Sequence, residues 1–179
     1  MGNLPLVDKN EAPAEIQATL KEVEKKFGFI PNLVKVLASS PTSLNAYLSL
    51  SDLMEKSSLT PQEQQIVLLT VSRDNQCGYC KSAHSMIAEK VAGLPKAEIT
   101  AVLENTPMSN AKHQALATFT SEMIQKRGFA TPEQVETFKK AGFSEQHVLD
   151  VITGIAMKTI SNYTNHLAET PVDPQFTSS

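Results

Sequence analysis

Val148, Val151, Ile152, Ile155, Thr159, Ile160 and Tyr163 recur at spacings of three and four within residues 144–169. A periodicity that long on one face predicts an amphipathic helix and commits the chain to helix-on-helix packing. The same rule is met elsewhere. Ile16, Leu20, Val23 and Phe27 are spaced four, three and four, and Gly28 ends that segment. Thr60-Pro61-Gln62-Glu63 is a helix start, with Thr at the N-cap, Pro at the first helical position and Glu at the third. The run Ile66-Val67-Leu68-Leu69 that follows has the apolarity of a buried strand, but the cap and the length to about Asn75 predict a buried helix. Thr131-Pro132 repeats the start signal.

Further helices are expected over 31–39, 42–56, 77–91, 94–104, 109–126 and 131–140. Nowhere does an apolar–polar alternation reach strand length with hairpin turns. The expected fold is therefore all-α, one helical domain over 14–170 with about seven or eight helices. An N-terminal arm (1–13) and a polar C-terminal tail (171–179) flank it. The arm carries Leu4, Leu6 and Val7, which suit packing on the domain or on a neighbouring subunit.

The 179 residues are 41% hydrophobic, enough for one domain with a core. A formal charge of −3 without a Lys/Arg block argues against nucleic acid as a partner. No apolar run of about 18 residues offers a membrane span. Residues 1–10 hold no apolar signal core, so a cytoplasmic protein is expected.

Only two cysteines occur, and they form Cys77-Gly78-Tyr79-Cys80, with His84 four residues further on. Spacings of three and four place two thiols and an imidazole on one helix face. Disulfide and peroxide chemistry need a thiolate, and a free thiol has a pKa of about 8.5. A helix N-terminus near Cys77 and a base at His84 would both lower it. His84 lies one turn from Cys80 and two from Cys77, which makes Cys80 the attacking thiol and Cys77 the resolving one. The opposite order is that of thioredoxin-type pairs, where the first cysteine attacks. A structural zinc site needs a fourth ligand that no second Cys/His pair supplies. Haem attachment needs His at position 81, which is Lys. Two inert buried thiols remain the plain structural alternative.

Residues 77–84, Cys-Gly-Tyr-Cys-Lys-Ser-Ala-His, resemble the active-site motif of the carboxymuconolactone decarboxylase-like family, in its alkylhydroperoxidase D (peroxidase-related) branch. The likeness extends to Phe27-Gly28-Phe29-Ile30-Pro31-Asn32, Leu59-Thr60-Pro61, Ala141-Gly142-Phe143-Ser144 and Asn162-Tyr163-Thr164-Asn165-His166-Leu167. The resemblance implies an all-helical fold, a homo-oligomer (trimer or hexamer) and no cofactor. It implies thiol peroxidase or disulfide reductase activity, with peroxide or a disulfide as substrate and a lipoyl or thioredoxin-like dithiol protein as reductant. It also admits a decarboxylase or isomerase acting on a lactone acid. Peroxidases of the family carry a glutamate twelve residues before the first cysteine, as a proton relay to the histidine. That position here is Gln65, which can orient His84 but cannot take its proton. Glu63 is expected to face away, about 200° around the helix.

Of the remaining candidates, His166 could supply a replacement base but is expected rather to cap a helix or meet a subunit, and His113 and His147 are expected to be solvated. Tyr79 either donates to the site or packs. The methionines are expected to be fillers.

Overall fold

The computed structural model describes residues 4–177. Among them nine α-helices follow one another with no strand: α1 (Ala14–Phe27), α2 (Asn32–Leu37), α3 (Pro41–Glu55), α4 (Pro61–Asp74), α5 (Gly78–Lys90), α6 (Lys96–Glu104), α7 (Ala111–Gln125), α8 (Pro132–Lys140) and α9 (Glu145–Ala168). The all-α single domain is as expected. The described helices number nine rather than seven or eight, and each falls on a segment expected to be helical, including short α2, α6 and α8 behind Pro31, Pro95 and Thr131. Each of those residues stops the previous helix or starts the next.

Local chemistry sets the ends. Gly28 closes α1 in the left-handed region, at φ 80°. Thr60 and Glu63 form a reciprocal capping box at the start of α4, and Thr131 and Gln134 form another on α8. α4 is buried along most of its length, from Glu63 through Ser72. Its polar side chains are accommodated locally. Gln64 Nε2 donates to Leu59 O at 2.9 Å, and Ser72 Oγ donates to Leu68 O at 2.7 Å. Glu63 points away from the thiols, as expected, and pairs with Lys112 at 2.7 Å.

The core has two parts. One surrounds α4 and is closed by Phe119, Phe138 and Phe143, stacked at ring separations of 4.2 and 4.3 Å. The other holds α1, α2 and the two cysteines. Tyr47 of α3 packs on both.

α9 crosses α4 at Gly154. A Cβ there would meet Val67 Cγ1 at 2.8 Å and Met54 Cε at 3.3 Å, so only glycine allows this approach. The close crossing carries the next turns of α9 toward α5.

Residues 171–177 are not a solvated polar tail. Asp173 and Phe176 are buried, and Pro174–Phe176 forms a 3-10 turn. The ring of Phe176 meets Tyr79 edge-on at 5.9 Å and Phe29 at 5.6 Å. The arm also lies along the domain: Val7 N donates to Lys35 O at 3.1 Å, while Leu4 and Leu6 are exposed.

Candidate active site

The turn between α4 and α5 sets the first thiol. Gln76 takes a left-handed φ of 58°, and Cys77 N then donates back to Ser72 O at 2.8 Å. Cys77 becomes the N-cap of α5, with an extended backbone and no side-chain capping bond, so its sulfur is free to face inward. Cys80 follows in the first turn. Both thiols are free and almost fully buried, at 1% and 2% exposure.

The wall facing them is α9. Asn165 Nδ2 donates to Cys80 Sγ at 3.2 Å and lies 3.9 Å from Cys77 Sγ. Ser161 Oγ is 3.9 Å from Cys80 Sγ. Lys158 is completely buried, and its Nζ has no hydrogen-bond partner among the described residues. Lys158, Ser161 and Asn165 are spaced three and four, so they line one face.

These groups split the two thiols. A hydrogen bond from Cys77 lowers the pKa of Cys80. Burial opposes it, and the charge of Lys158 and the Asn165 amide add to the lowering. The same bond pushes Cys77 well up, with burial acting in the same direction. Both directions make Cys80 the more acidic thiol of the pair. Burial also raises the Tyr47 phenol, as does the nearby Cys80 charge.

Gln65 and His84 meet. His84 Nδ1 lies 3.0 Å from Gln65 Oε1, and both side chains are buried. An amide oxygen only accepts, so Nδ1 carries the proton and Nε2 keeps its lone pair. Burial holds His84 well below the usual histidine range, and the Lys158 charge adds to this. The ring therefore stands neutral. It makes no hydrogen bond to either sulfur among the described residues. The expected direct pairing of His84 with Cys80 is replaced by contacts from Cys77, Asn165 and Ser161, because the imidazole is turned toward α4.

Tyr79 does not face the thiols. Its hydroxyl donates to Asp173 Oδ2 at 2.6 Å and accepts from Leu33 N at 3.3 Å. Asp173 also accepts from Asn32 N, at the start of α2. Tyr79 thus ties α5, α2 and the 171–177 segment together.

His113 is buried against Glu98 at 3.3 Å rather than solvated, since Glu98 of α6 covers that face of α7. His147 is half-buried and caps α9 with Ser144, its ring edge-on to Phe143 at 5.4 Å. His166 is exposed, and its neighbour Asn165 is the residue that turns inward. Among the described residues no three His, Cys, Asp or Glu side chains gather to hold a metal ion, and no helix is long and apolar enough to cross a membrane.

Lys158, Ser161, Asn165 and Tyr47 are site residues that the cysteine motif does not announce. A signal for the α9 set is nonetheless present: Lys158, Ser161, Asn162 and Asn165 form a polar line at helical spacing on the buried side of α9.

Residues 41–120 match the family model described as the carboxymuconolactone decarboxylase family. The match contains Gln65, Cys77, Cys80 and His84 but stops short of α9. Three solved structures share the fold over nearly the whole chain. One is an alkylhydroperoxidase AhpD core, a peroxidase-related protein from Ralstonia eutropha JMP134. It has a TM-score of 0.86 and 22% identity, covering 98% of this chain and 94% of that one. The second is a peroxidase-related protein from Silicibacter sp. TM1040, with a TM-score of 0.81 and 22% identity, covering 97% and 92%. The third is the debrominase Bmp8, with a TM-score of 0.79 and 18% identity, covering 97% and 94%. No curated protein matches the chain.

Proposed function

We propose that this chain is a thiol-dependent peroxidase of the alkylhydroperoxidase D-like, peroxidase-related branch of the carboxymuconolactone decarboxylase family. Cys80 attacks and Cys77 resolves. The observation that carries this reading is the asymmetry of the pair: the Asn165 amide lies 3.2 Å from Cys80 but 3.9 Å from Cys77.

The Cys80 thiolate attacks the hydroxyl oxygen of a hydroperoxide. An S–O bond forms, the O–O bond breaks, and sulfur is oxidised to the sulfenic acid. The alkoxide leaves and takes a proton from water. The Cys77 thiol then attacks the sulfenic sulfur. The S–S bond forms, the S–O bond breaks, and the hydroxide departs with the Cys77 proton as water. His84, neutral with a free Nε2, is the base that passes on that proton, and Gln65 holds its ring. A lipoyl or thioredoxin-like dithiol protein returns two electrons and restores the pair.

Gln65 favours a second reading. Without a carboxylate behind His84, thiol–disulfide exchange needs less of the site than peroxide cleavage does. A disulfide reductase or redox sensor uses the same two cysteines. The debrominase with this fold is a reminder that the helices alone do not select peroxide.

Assembly into a homo-oligomer belongs to the same proposal. Its support is the outward face of α9, where Leu149, Ile152, Tyr163 and Leu167 are exposed along one side.

Two variants test the roles. Cys80→Ser is expected to abolish peroxide consumption and leave no sulfenic acid for dimedone to trap. Cys77→Ser is expected to let the sulfenic acid accumulate. The opposite pattern reverses the assignment. Activity that survives the double variant on a lactone acid supports the lyase reading instead.

A further inference from the structure

We propose that Lys158 is the cation that holds Cys80 ready as a thiolate and makes the Cys77–Cys80 couple a strong electron acceptor. The proposal rests on the thiol reading above and adds a positioning residue to it.

A fully buried lysine without a hydrogen-bond partner is costly unless an anion neutralises it. The carboxylates withdrawn from solvent in this part of the chain are committed to other partners. Glu63 pairs with Lys112, Asp74 with Arg73, and Asp173 accepts from Tyr79. The titratable groups that share the pocket are Cys77 and Cys80 of the α5 start, His84 of α5 and Tyr47 of α3. Of these, His84 takes a proton rather than losing one, and burial pushes the Tyr47 phenol and the Cys77 thiol upward. Cys80 is the anion left for Lys158. The line of α9 agrees: Ser161 and Asn165, on the same face as Lys158, are the residues that reach Cys80 Sγ.

Lys158 therefore does what the sequence spacing gave to His84. It favours the thiolate, and by the same charge it discourages protonation of His84. The imidazole is kept as a free base for the resolving step.

Oxidation removes the anion. One thiolate and one thiol become a disulfide, with release of one proton and two electrons to the peroxide or disulfide acceptor. The ammonium is left without its counter-ion in a dry pocket. The reduced form is thus stabilised relative to the disulfide, which raises the oxidising power of the couple. The disulfide is then readily reduced by a dithiol protein, as a turnover cycle requires.

The test uses the full, reduced chain. Thiolate absorbance is titrated against pH in the wild type, Lys158→Met and Lys158→Arg, with Cys80→Ser as the blank. Each variant is also equilibrated with reduced and oxidised glutathione. Lys158→Met is expected to raise the thiolate midpoint by at least one pH unit and to shift the glutathione equilibrium at least tenfold toward the disulfide. Lys158→Arg is expected to stay near the wild type. An unchanged midpoint in folded Lys158→Met overturns the proposal, as does an equal rise in Lys158→Arg, which would make the effect one of packing. Should the variants fail to fold, the wild type alone decides. The ratio of iodoacetate to iodoacetamide rates at Cys80 is expected to exceed that of glutathione, and a ratio equal or lower overturns the proposal. None of these readouts uses peroxide. A chain that shows them but consumes no peroxide keeps the Lys158 assignment and loses the peroxidase one.

Discussion

Asn165 lies 0.7 Å closer to Cys80 than to Cys77, with its amide nitrogen 3.2 Å from one sulfur and 3.9 Å from the other. A neutral donor at that distance favours the charged form of the nearer thiol. Asn165→Leu keeps the volume and removes the donor. Hydrogen bonds to charged groups contribute about 1.5–3 kcal/mol, and one pH unit corresponds to about 1.4 kcal/mol. The midpoint of Cys80 alkylation is therefore expected to rise by about one to two pH units. The labelling rate at neutral pH should fall roughly tenfold or more. A midpoint that does not move would remove Asn165 from the site.

Gln65 and His84 offer the test of the missing carboxylate. Gln65→Glu places an acid against Nδ1, at the position now 3.0 Å away. A buried carboxylate there favours the imidazolium and completes a proton relay. Peroxide turnover is expected to rise by about ten- to a hundredfold, with disulfide reduction little changed. Steady-state rates with a hydroperoxide and with a disulfide substrate check this. Equal rates in the variant and the wild type would mean that the relay does not limit turnover.

Tyr79 anchors the 171–177 segment rather than touching the thiols. Its hydroxyl holds Asp173, and its ring meets Phe176, so the 171–177 segment is fastened beside the first turn of α5. Tyr79→Phe leaves Asp173 short of one donor and is expected to cost about 1–3 kcal/mol in chemical unfolding. Thiol labelling should become faster while its pH midpoint stays in place. A shifted midpoint would instead put Tyr79 in contact with the thiolate.

His84 predicts an acid sensitivity of definite sign. Its folded-state pKa lies below that of the unfolded chain, near 6.5, chiefly because it is buried. Below that pH the unfolded state binds more protons, so stability falls as pH falls. The loss is expected to reach up to about 1.4 kcal/mol per pH unit between pH 6 and 5 and to be missing in His84→Gln. Glu63 and Glu98 act in a separate window. Against the cost of burial, hydrogen bonds with Lys112 and with Ser109 hold these carboxyls low, so their contribution is lost only below about pH 4.5. Denaturant titrations across pH 4–8 separate the two.

The legible parts of this protein are the local ones. Thr60-Pro61, Thr131-Pro132 and Gly28 mark helix ends through bonds within a few residues, and those ends fall where the spacing predicts. The Cys77/Cys80/His84 face is legible for the same reason, because all three residues lie on or at the start of one helix. Gln65 stands at the family's position twelve residues before Cys77, and it does touch His84. What could not be read is whatever comes from far along the chain. Asn165 meets the thiols from another helix, and Lys158 lies on the same face of α9, whose close crossing of α4 is allowed by Gly154. His113 read as solvated because its partner, Glu98, belongs to another helix. Residues 171–177 read as a polar tail because Asp173 and Phe176 follow no period; Asp173 is held by Tyr79 and Asn32, and Phe176 by Tyr79 and Phe29, rather than by a repeating face.

Identifying which cysteine reacts first tests the account most directly. The reduced protein is pulsed with iodoacetamide across pH 5–10, and each position is quantified by mass spectrometry. Cys80 is expected to label first, with a midpoint below the value of about 8.5 for a free thiol, and Cys77 to remain unlabelled until far higher pH. Cys77 labelling first, or both thiols titrating at or above about 8.5, would contradict the assignment of Cys80 as the thiolate.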